Sequence, residues 1–170
     1  VHRVRTEVEA GDYWVLTLTG SSKTLQKLGG DAKPSTLMFA AISPDGKQAA
    51  YVRENNLYSE RLDDLKITQL TNDGSRTIVN GTSDWVYEEE FDLRDAFRWS
   101  PDGTRIAFWR FDQSAEPTMT LENVTDSLYP TYMRYKYPKA GEPNATVKIG
   151  VVAVASGATR WLKTGRDSSD

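Results

Sequence analysis

The residues most suited to chemistry lie in Asp84-Trp85-Val86-Tyr87-Glu88-Glu89-Glu90-Phe91, where three adjacent carboxylates sit between aromatic side chains. Asp92-Leu93-Arg94-Asp95 follows directly. Like charges packed together repel, so the local sequence offers no stability reason for the triplet. A cationic guest would supply one. Two carboxylates converging on an ammonium form charge-assisted hydrogen bonds, shorter and stronger than neutral ones. Where water is excluded the attraction grows, because the effective dielectric falls. The plain alternative is a solvated acidic turn, the usual fate of a charge run.

Other chemistries fit less well. The chain has one His, His2, and no Cys. It contains no Gly-x-Ser-x-Gly elbow. A Ser-His-Asp triad needs a His base held beside the nucleophile, so no catalytic residue is assigned and His2 reads as an incidental terminal residue. A carboxylate-pair glycosidase would need its two acids several ångströms apart, which adjacent Glu residues do not give. Calcium favours oxygen ligands, but the spacing of an EF-hand loop is missing. No metal and no cofactor is expected.

The segment resembles the double-Glu motif of the dipeptidyl peptidase IV family, in the prolyl oligopeptidase clan of serine peptidases. The resemblance continues through Arg98-Trp99-Ser100-Pro101-Asp102-Gly103 and Ile106-Ala107-Phe108-Trp109. It resumes at Tyr137-Pro138-Lys139-Ala140-Gly141-Glu142-Pro143-Asn144, and as a whole covers roughly residues 36 to 152 in the family's order. It implies that Glu89 and Glu90 grip the free N-terminal amine of a peptide substrate, with Glu88 as the flanking carboxylate. It also implies an Arg upstream of a Tyr-rich strand that helps hold the substrate carbonyl and the Glu pair. Arg3 and Arg5 both precede Asp12-Tyr13-Trp14-Val15. Spacing favours Arg5 slightly, and the register stays open because Glu9-Ala10-Gly11 can be an insertion.

The elements that must position these residues read as β-hairpins. Met38–Ile42 and Gln48–Val52 flank Ser43-Pro44-Asp45-Gly46. Fifty-seven residues later Ala96–Trp99 and Ile106–Trp109 flank Ser100-Pro101-Asp102-Gly103. Pro presets the first central angle of such a turn and Gly accepts positive φ. β-branched and aromatic residues on both sides mark paired strands. A second hairpin type recurs at Tyr13–Leu18 with Thr24–Leu28, at Asn56–Leu62 with Lys66–Leu70, and at Val147–Val154 with Thr159–Leu162. An inner hairpin joined to an outer one makes a four-stranded unit, and such units in series are the signature of a β-propeller.

The expected fold is therefore all-β: a partial propeller with a half blade over 12–28 and blades over 35–71 and 95–163. Propellers close with at least four blades, so residues 1–170 are expected to be an arc of a larger ring. A small β-sandwich is the alternative. Two stretches break the rhythm. Residues 72–95 form a Glu-bearing connection too long for topology and too apolar for disorder. Tyr87 and Phe91 lie four apart, so a short helix would put them on one face. Residues 112–146 interrupt the last blade, with Tyr129, Tyr132, Tyr135 and Tyr137 clustered there and Pro130 and Pro138 as breakers. They are expected as an extended excursion packed on the ring.

The length of 170 residues suffices for one domain with a core. A net charge of -3 argues against nucleic acid or an anionic membrane as partner. The sequence has no apolar run long enough for a spanning helix and no signal-peptide pattern. Zero Cys excludes disulfides and thiolate metal sites. Three Asn-x-Ser/Thr sequons, at Asn80, Asn123 and Asn144, bear on glycosylation only in a eukaryotic secretory host. Val1 in place of Met leads us to expect an excised or processed piece.

The resemblance implies an eight-bladed ring followed by an α/β-hydrolase domain, which this sequence lacks. It implies a homodimeric parent in the periplasm or outside the cell, releasing X-Pro or X-Ala dipeptides from peptide N-termini. The fragment itself is expected to be non-catalytic. The rival reading is a propeller-derived protein- or peptide-binding module with no peptidase attached.

Overall fold

The structure is a computed structural model that describes residues 10–19 and 21–165. Thirteen strands and one helix are present among them. β1 (Trp14–Thr19) and β2 (Ser22–Lys27) form a two-stranded antiparallel sheet with Thr19 opposite Ser22. β3 (Leu37–Ile42), β4 (Gln48–Arg53), β5 (Asn56–Arg61) and β6 (Ile67–Gln69) follow as a four-stranded meander in the order β3-β4-β5-β6. This is the half blade and the first blade of the expected arc. The Gly11 amide donates to the Leu37 carbonyl at 2.8 Å and joins the two.

The second blade is assembled less simply. β9 (Arg105–Asp112), β12 (Thr146–Ala153) and β13 (Thr159–Trp161) pair in sequence. The other edge of β9 is shared by two short strands. β8 (Phe97–Trp99) covers Ile106 to Phe108, and β7 (Ile78–Asn80) covers Arg110 to Asp112. The stretch expected only as a connection thus contributes a strand. β7 and β8 share one edge of the sheet, and residues 81–96 leave it between them. Sequence periodicity misses β7 because three residues carry too little alternation to register.

Both Ser-Pro-Asp-Gly turns close in the same way. Gly46 and Gly103 adopt φ of 71° and 67°, and their amides donate to the carbonyls of Ser43 and Ser100, both at 2.9 Å. Asp45 and Asp102 accept from the Ser43 and Ser100 hydroxyls and from the Lys47 and Thr104 amides at 3.1 and 3.0 Å. These bonds favour the charged carboxyl. The Ser43 hydroxyl chiefly pulls Asp45 below its ordinary value, and the Ser100 hydroxyl chiefly pulls Asp102 down to about 2.

Alternation on β4 explains how the sheets stack. Ala49 and Tyr51 face the half blade and pack with Tyr13, Val15, Leu28 and Leu37. Ala50 and Val52 face the other way, into a core shared with Phe97, Ile106, Phe108, Val152 and Val154 of the second blade. Successive side chains on a strand point to opposite faces, so a strand buried on both faces sits between two layers. The Trp99 indole donates to the Ala41 carbonyl at 3.1 Å and bridges the two blades directly.

The second excursion differs from expectation. Residues between β9 and β12 contain β10 (Thr118–Asn123) and β11 (Thr131–Lys136), which pair into their own antiparallel hairpin. Its tip stands out from the sheets rather than packing on them: Leu128 is 91% exposed, and Tyr129, Tyr132 and Met133 are also exposed. Pro130 and Pro138 bracket β11 without entering it.

Candidate functional site

The Glu triplet is carried on α1 (Trp85–Phe91), the helix of the 81–96 excursion. The base of the excursion is stitched shut. The Ala96 amide donates to the Gly81 carbonyl at 3.1 Å, and the Ser83 amide to the Arg94 carbonyl at 3.2 Å. Thr82 and Asp95 form an isolated bridge between them. A loop closed this way can present a helix in a fixed pose.

Local sequence sets both helix ends. Asp84 is the N-cap, in extended backbone, and its side chain accepts the Tyr87 amide at 2.9 Å. Such a cap stabilises a helix by about 1 kcal/mol relative to Ala. At the other end Asp92 turns into the left-handed region with φ 53°, and the Leu93 amide donates to the Tyr87 carbonyl at 3.0 Å. Asp tolerates that conformation better than most residues.

Tyr87 is the anchor. Its ring packs against Trp109 and Phe111 of β9 with centroids 5.4 and 5.2 Å away, and against Phe91 at 5.4 Å. The expected four-residue pairing of Tyr87 and Phe91 is therefore present, although Phe91 remains 62% exposed. Trp85 packs edge-on against Tyr137, beyond β11, at 4.5 Å. The segment that leaves the inserted hairpin thus braces the helix from a second direction.

The three carboxylates are placed differently. Glu88 is half-buried and stands 3.6 Å from Arg94 Nε. Glu89 and Glu90 are exposed and occupy the last turn of α1. Neighbouring helix positions lie 100° apart about the axis, so a shared guest must approach the flank between them. No residue of the last turn is basic. The carbonyl end of a helix carries partial negative charge, so helix and carboxylates attract the same sign of ion. Arg3 and Arg5, the two candidates for a substrate-binding Arg, lie outside the described residues, as does His2.

A further pair of carboxyls is buried at the N-terminal end of the helix. Asp84 is 5% exposed and Glu116 is 3% exposed. Burial raises the Asp84 carboxyl, against the pull of the Tyr87 amide. Burial, reinforced by the charge of Asp84, pushes Glu116 up to about 7. The Lys136 ammonium pulls the other way and donates to the Glu116 backbone carbonyl at 2.6 Å. Sequence reasoning overlooked Tyr137 as a support of the helix, and Glu116 with Lys136 as a buried pair near its N-cap. Only their order along the excursion could have hinted at it, since nothing in 112–146 shows which side meets α1. Among the described residues no cluster of three His, Cys, Asp or Glu side chains could hold a metal ion.

Comparison with known proteins places this arrangement. The family described as dipeptidyl peptidase IV (DPP IV) N-terminal region matches residues 1–170. A probable dipeptidyl-aminopeptidase B of Talaromyces stipitatus is 37% identical over 156 residues, covering 85% of this chain and 17% of that protein. A protein of Rattus norvegicus named inactive dipeptidyl peptidase 10 is 42% identical over 126 residues, covering 72% of this chain and 16% of that protein. The crystal structure of Porphyromonas gingivalis dipeptidyl peptidase 4 superposes with a TM-score of 0.81 at 32% identity, over 93% of this chain and 25% of that one. A putative dipeptidyl aminopeptidase IV from Bacteroides ovatus gives a TM-score of 0.72 at 25% identity, over 99% and 22%. The chain therefore spans about a sixth of the length of these curated relatives. The match over residues 1–170, with relatives 37% and 42% identical over most of the chain, shows that the chain belongs to the dipeptidyl peptidase IV N-terminal region family.

Proposed function

We propose that this chain supplies the substrate-amine recognition part of a serine exopeptidase that releases N-terminal dipeptides. The observation that carries the reading is the placement of Glu89 and Glu90: exposed together on a helix that Tyr87 pins to β9. In this reading the two carboxylates bind the α-ammonium of a peptide, and Glu88, beside Arg94, keeps the helix in place. The nucleophile, base and oxyanion hole come from an α/β-hydrolase domain elsewhere in the parent chain, so the fragment alone is non-catalytic. Fixing the amine fixes the distance to the scissile carbonyl two residues on. Binding energy at the amine is thereby used to position the reacting bond. Pro or Ala in the second position is the expected preference, and the parent is a homodimer in which the exposed apolar tip of the β10–β11 hairpin is available for contact.

The test is inhibition of the full-length parent by a dipeptide product and by its N-acetylated form. The free-amine dipeptide is expected to inhibit, and acetylation to weaken it at least tenfold, the loss of about one charge-assisted hydrogen bond. Equal inhibition by both would refute the reading.

A second reading has one observation in its favour. A relative 42% identical to this chain is named inactive, so this region also occurs where a peptidase activity is not claimed. In that case the chain is part of a peptide- or protein-binding propeller. The parent reading frame separates the two: a downstream Gly-x-Ser-x-Gly followed by Asp and His belongs only to the first.

A further inference from the structure

The buried carboxyls of Asp84 and Glu116 have no role in the reading above, and their surroundings are unusual. Neither oxygen of Glu116 meets a hydrogen-bond donor. The Ala145 amide favours its charged form but closes no hydrogen bond to it. Lys136 lends its charge, yet its ammonium donates to the Glu116 backbone rather than to the carboxyl. A buried carboxylate without donors is strongly disfavoured. Asp84 is better supplied, because the Tyr87 amide donates to it at 2.9 Å. Two like charges held close in an apolar setting do not both ionise readily.

We propose that Glu116 is a positioning residue for the Glu-bearing helix, acting through Asp84: the two carboxyls carry one charge between them, and a second charge loosens the N-terminus of α1. Asp84 keeps the charge and caps the helix while Glu116 stays neutral. When Glu116 loses its proton, repulsion falls on the cap, because Glu116 is fixed by its backbone. The Glu116 amide donates to the Gln113 carbonyl at 3.1 Å and its carbonyl takes the Lys136 ammonium. The other charges around the junction are already engaged. On α1, Glu88 stands by Arg94 at 3.6 Å. On β9, Arg110 binds Asp73 at 2.7 Å and lies 3.7 Å from Asp112.

The sign follows from the raised carboxyl. Glu116 ordinarily titrates near 4.5 and in the fold near 7. A folded state that holds the proton more tightly gains stability from it below the unfolded value. That gain is full below about 4.5, falls as pH rises towards about 7, and is gone above. The helix cap is therefore firmest where Glu116 still holds its proton and Asp84 has lost its own. The link from helix to substrate rests on the amine-site reading; the link from Glu116 to helix does not.

The test is hydrogen exchange of residues 84–93 in the full-length parent at pH 5 and pH 8, corrected for intrinsic rates. Protection in the wild type is expected to be lower by about tenfold or more at pH 8. Glu116→Gln, a neutral isostere, is expected to give the same protection at both pH values. Asp84→Asn removes the other charge while keeping an acceptor for the Tyr87 amide, and is expected to do likewise, so the outcome does not hang on one variant. Equal wild-type protection at both pH values overturns the proposal, as does an undiminished pH response in both variants. The ratio of wild-type to Glu116→Gln KM for a free-amine substrate is expected to rise over the same range. If exchange responds and that ratio stays flat, the helix device stands and the amine-site reading falls.

Discussion

Arg94 Nε stands 3.6 Å from Glu88 Oε1, so the first carboxylate of the triplet is turned towards the returning arm of its own loop. Glu89 and Glu90 are left facing solvent at the end of the helix. Adjacent residues of one type thus divide into a structural member and an exposed pair. Helix phase alone does not make the division: at about 100° per residue Glu89 lies nearly opposite Tyr87, whose ring faces the sheet, but Glu90 returns to within about 60° of it and owes its exposure to its place in the last turn.

The packing that carries the loop depends on close approach of β12 to β9. A Cβ on Gly150 would lie 2.7 Å from Phe108 Cε1 and 3.0 Å from Trp161 Cζ3. Phe108 belongs to the core shared by both blades. Gly150→Ala is expected to destabilise the fold by roughly 1–3 kcal/mol, the usual range for overpacking. Denaturant unfolding of the chain measures this, and unchanged stability would show that Phe108 and Trp161 can give way together.

Glu60 is a second buried carboxyl with a different purpose. Its Oε2 accepts the Gly29 amide at 2.8 Å and the Tyr51 hydroxyl at 3.1 Å, joining the half blade's exit to the first blade. Burial raises its carboxyl despite both donors. Glu60→Ala would strand two buried donors, each costing roughly 1–3 kcal/mol. Tyr51→Phe removes only one donor and is expected to be milder. Thermal unfolding of the two variants tests the order, and a larger loss for Tyr51→Phe would contradict it.

The sequence shows its blades where the physics is local and repeated. Ser43-Pro44-Asp45-Gly46 and Ser100-Pro101-Asp102-Gly103 each encode a turn in a few residues, and strand alternation around them is strong. α1 was legible from Tyr87 and Phe91 at helical spacing. β7 was not, because Ile78–Asn80 is a strand only by virtue of its pairing with Arg110 to Asp112, 30 to 34 residues away. The β10–β11 hairpin was hidden for another reason: Met119, Leu121, Tyr132 and Met133 mix apolar and polar neighbours on strands that are exposed on most positions. Without a buried face, alternation carries little signal. For the site, the residue types at Glu89 and Glu90 pointed to a cation. The junction of Asp84 with Glu116 joins two excursions separated by β8 and β9, and no local pattern reports it.

In the proposed function Glu89 and Glu90 meet a substrate ammonium. Steady-state kinetics of Glu88→Gln, Glu89→Gln and Glu90→Gln in the full-length parent, on a dipeptide substrate with a free amine, tests it most directly. Gln keeps shape and hydrogen-bonding atoms and removes only the charge. A hydrogen bond to a charged group is worth roughly 1.5–3 kcal/mol, so kcat/KM is expected to fall about tenfold to a hundredfold or more for Glu89→Gln and for Glu90→Gln. Glu88→Gln is expected to matter less, and N-acetylated peptides to remain poor substrates throughout. Near-wild-type kcat/KM for both Glu89→Gln and Glu90→Gln would contradict the account and leave the triplet as a solvated acidic turn.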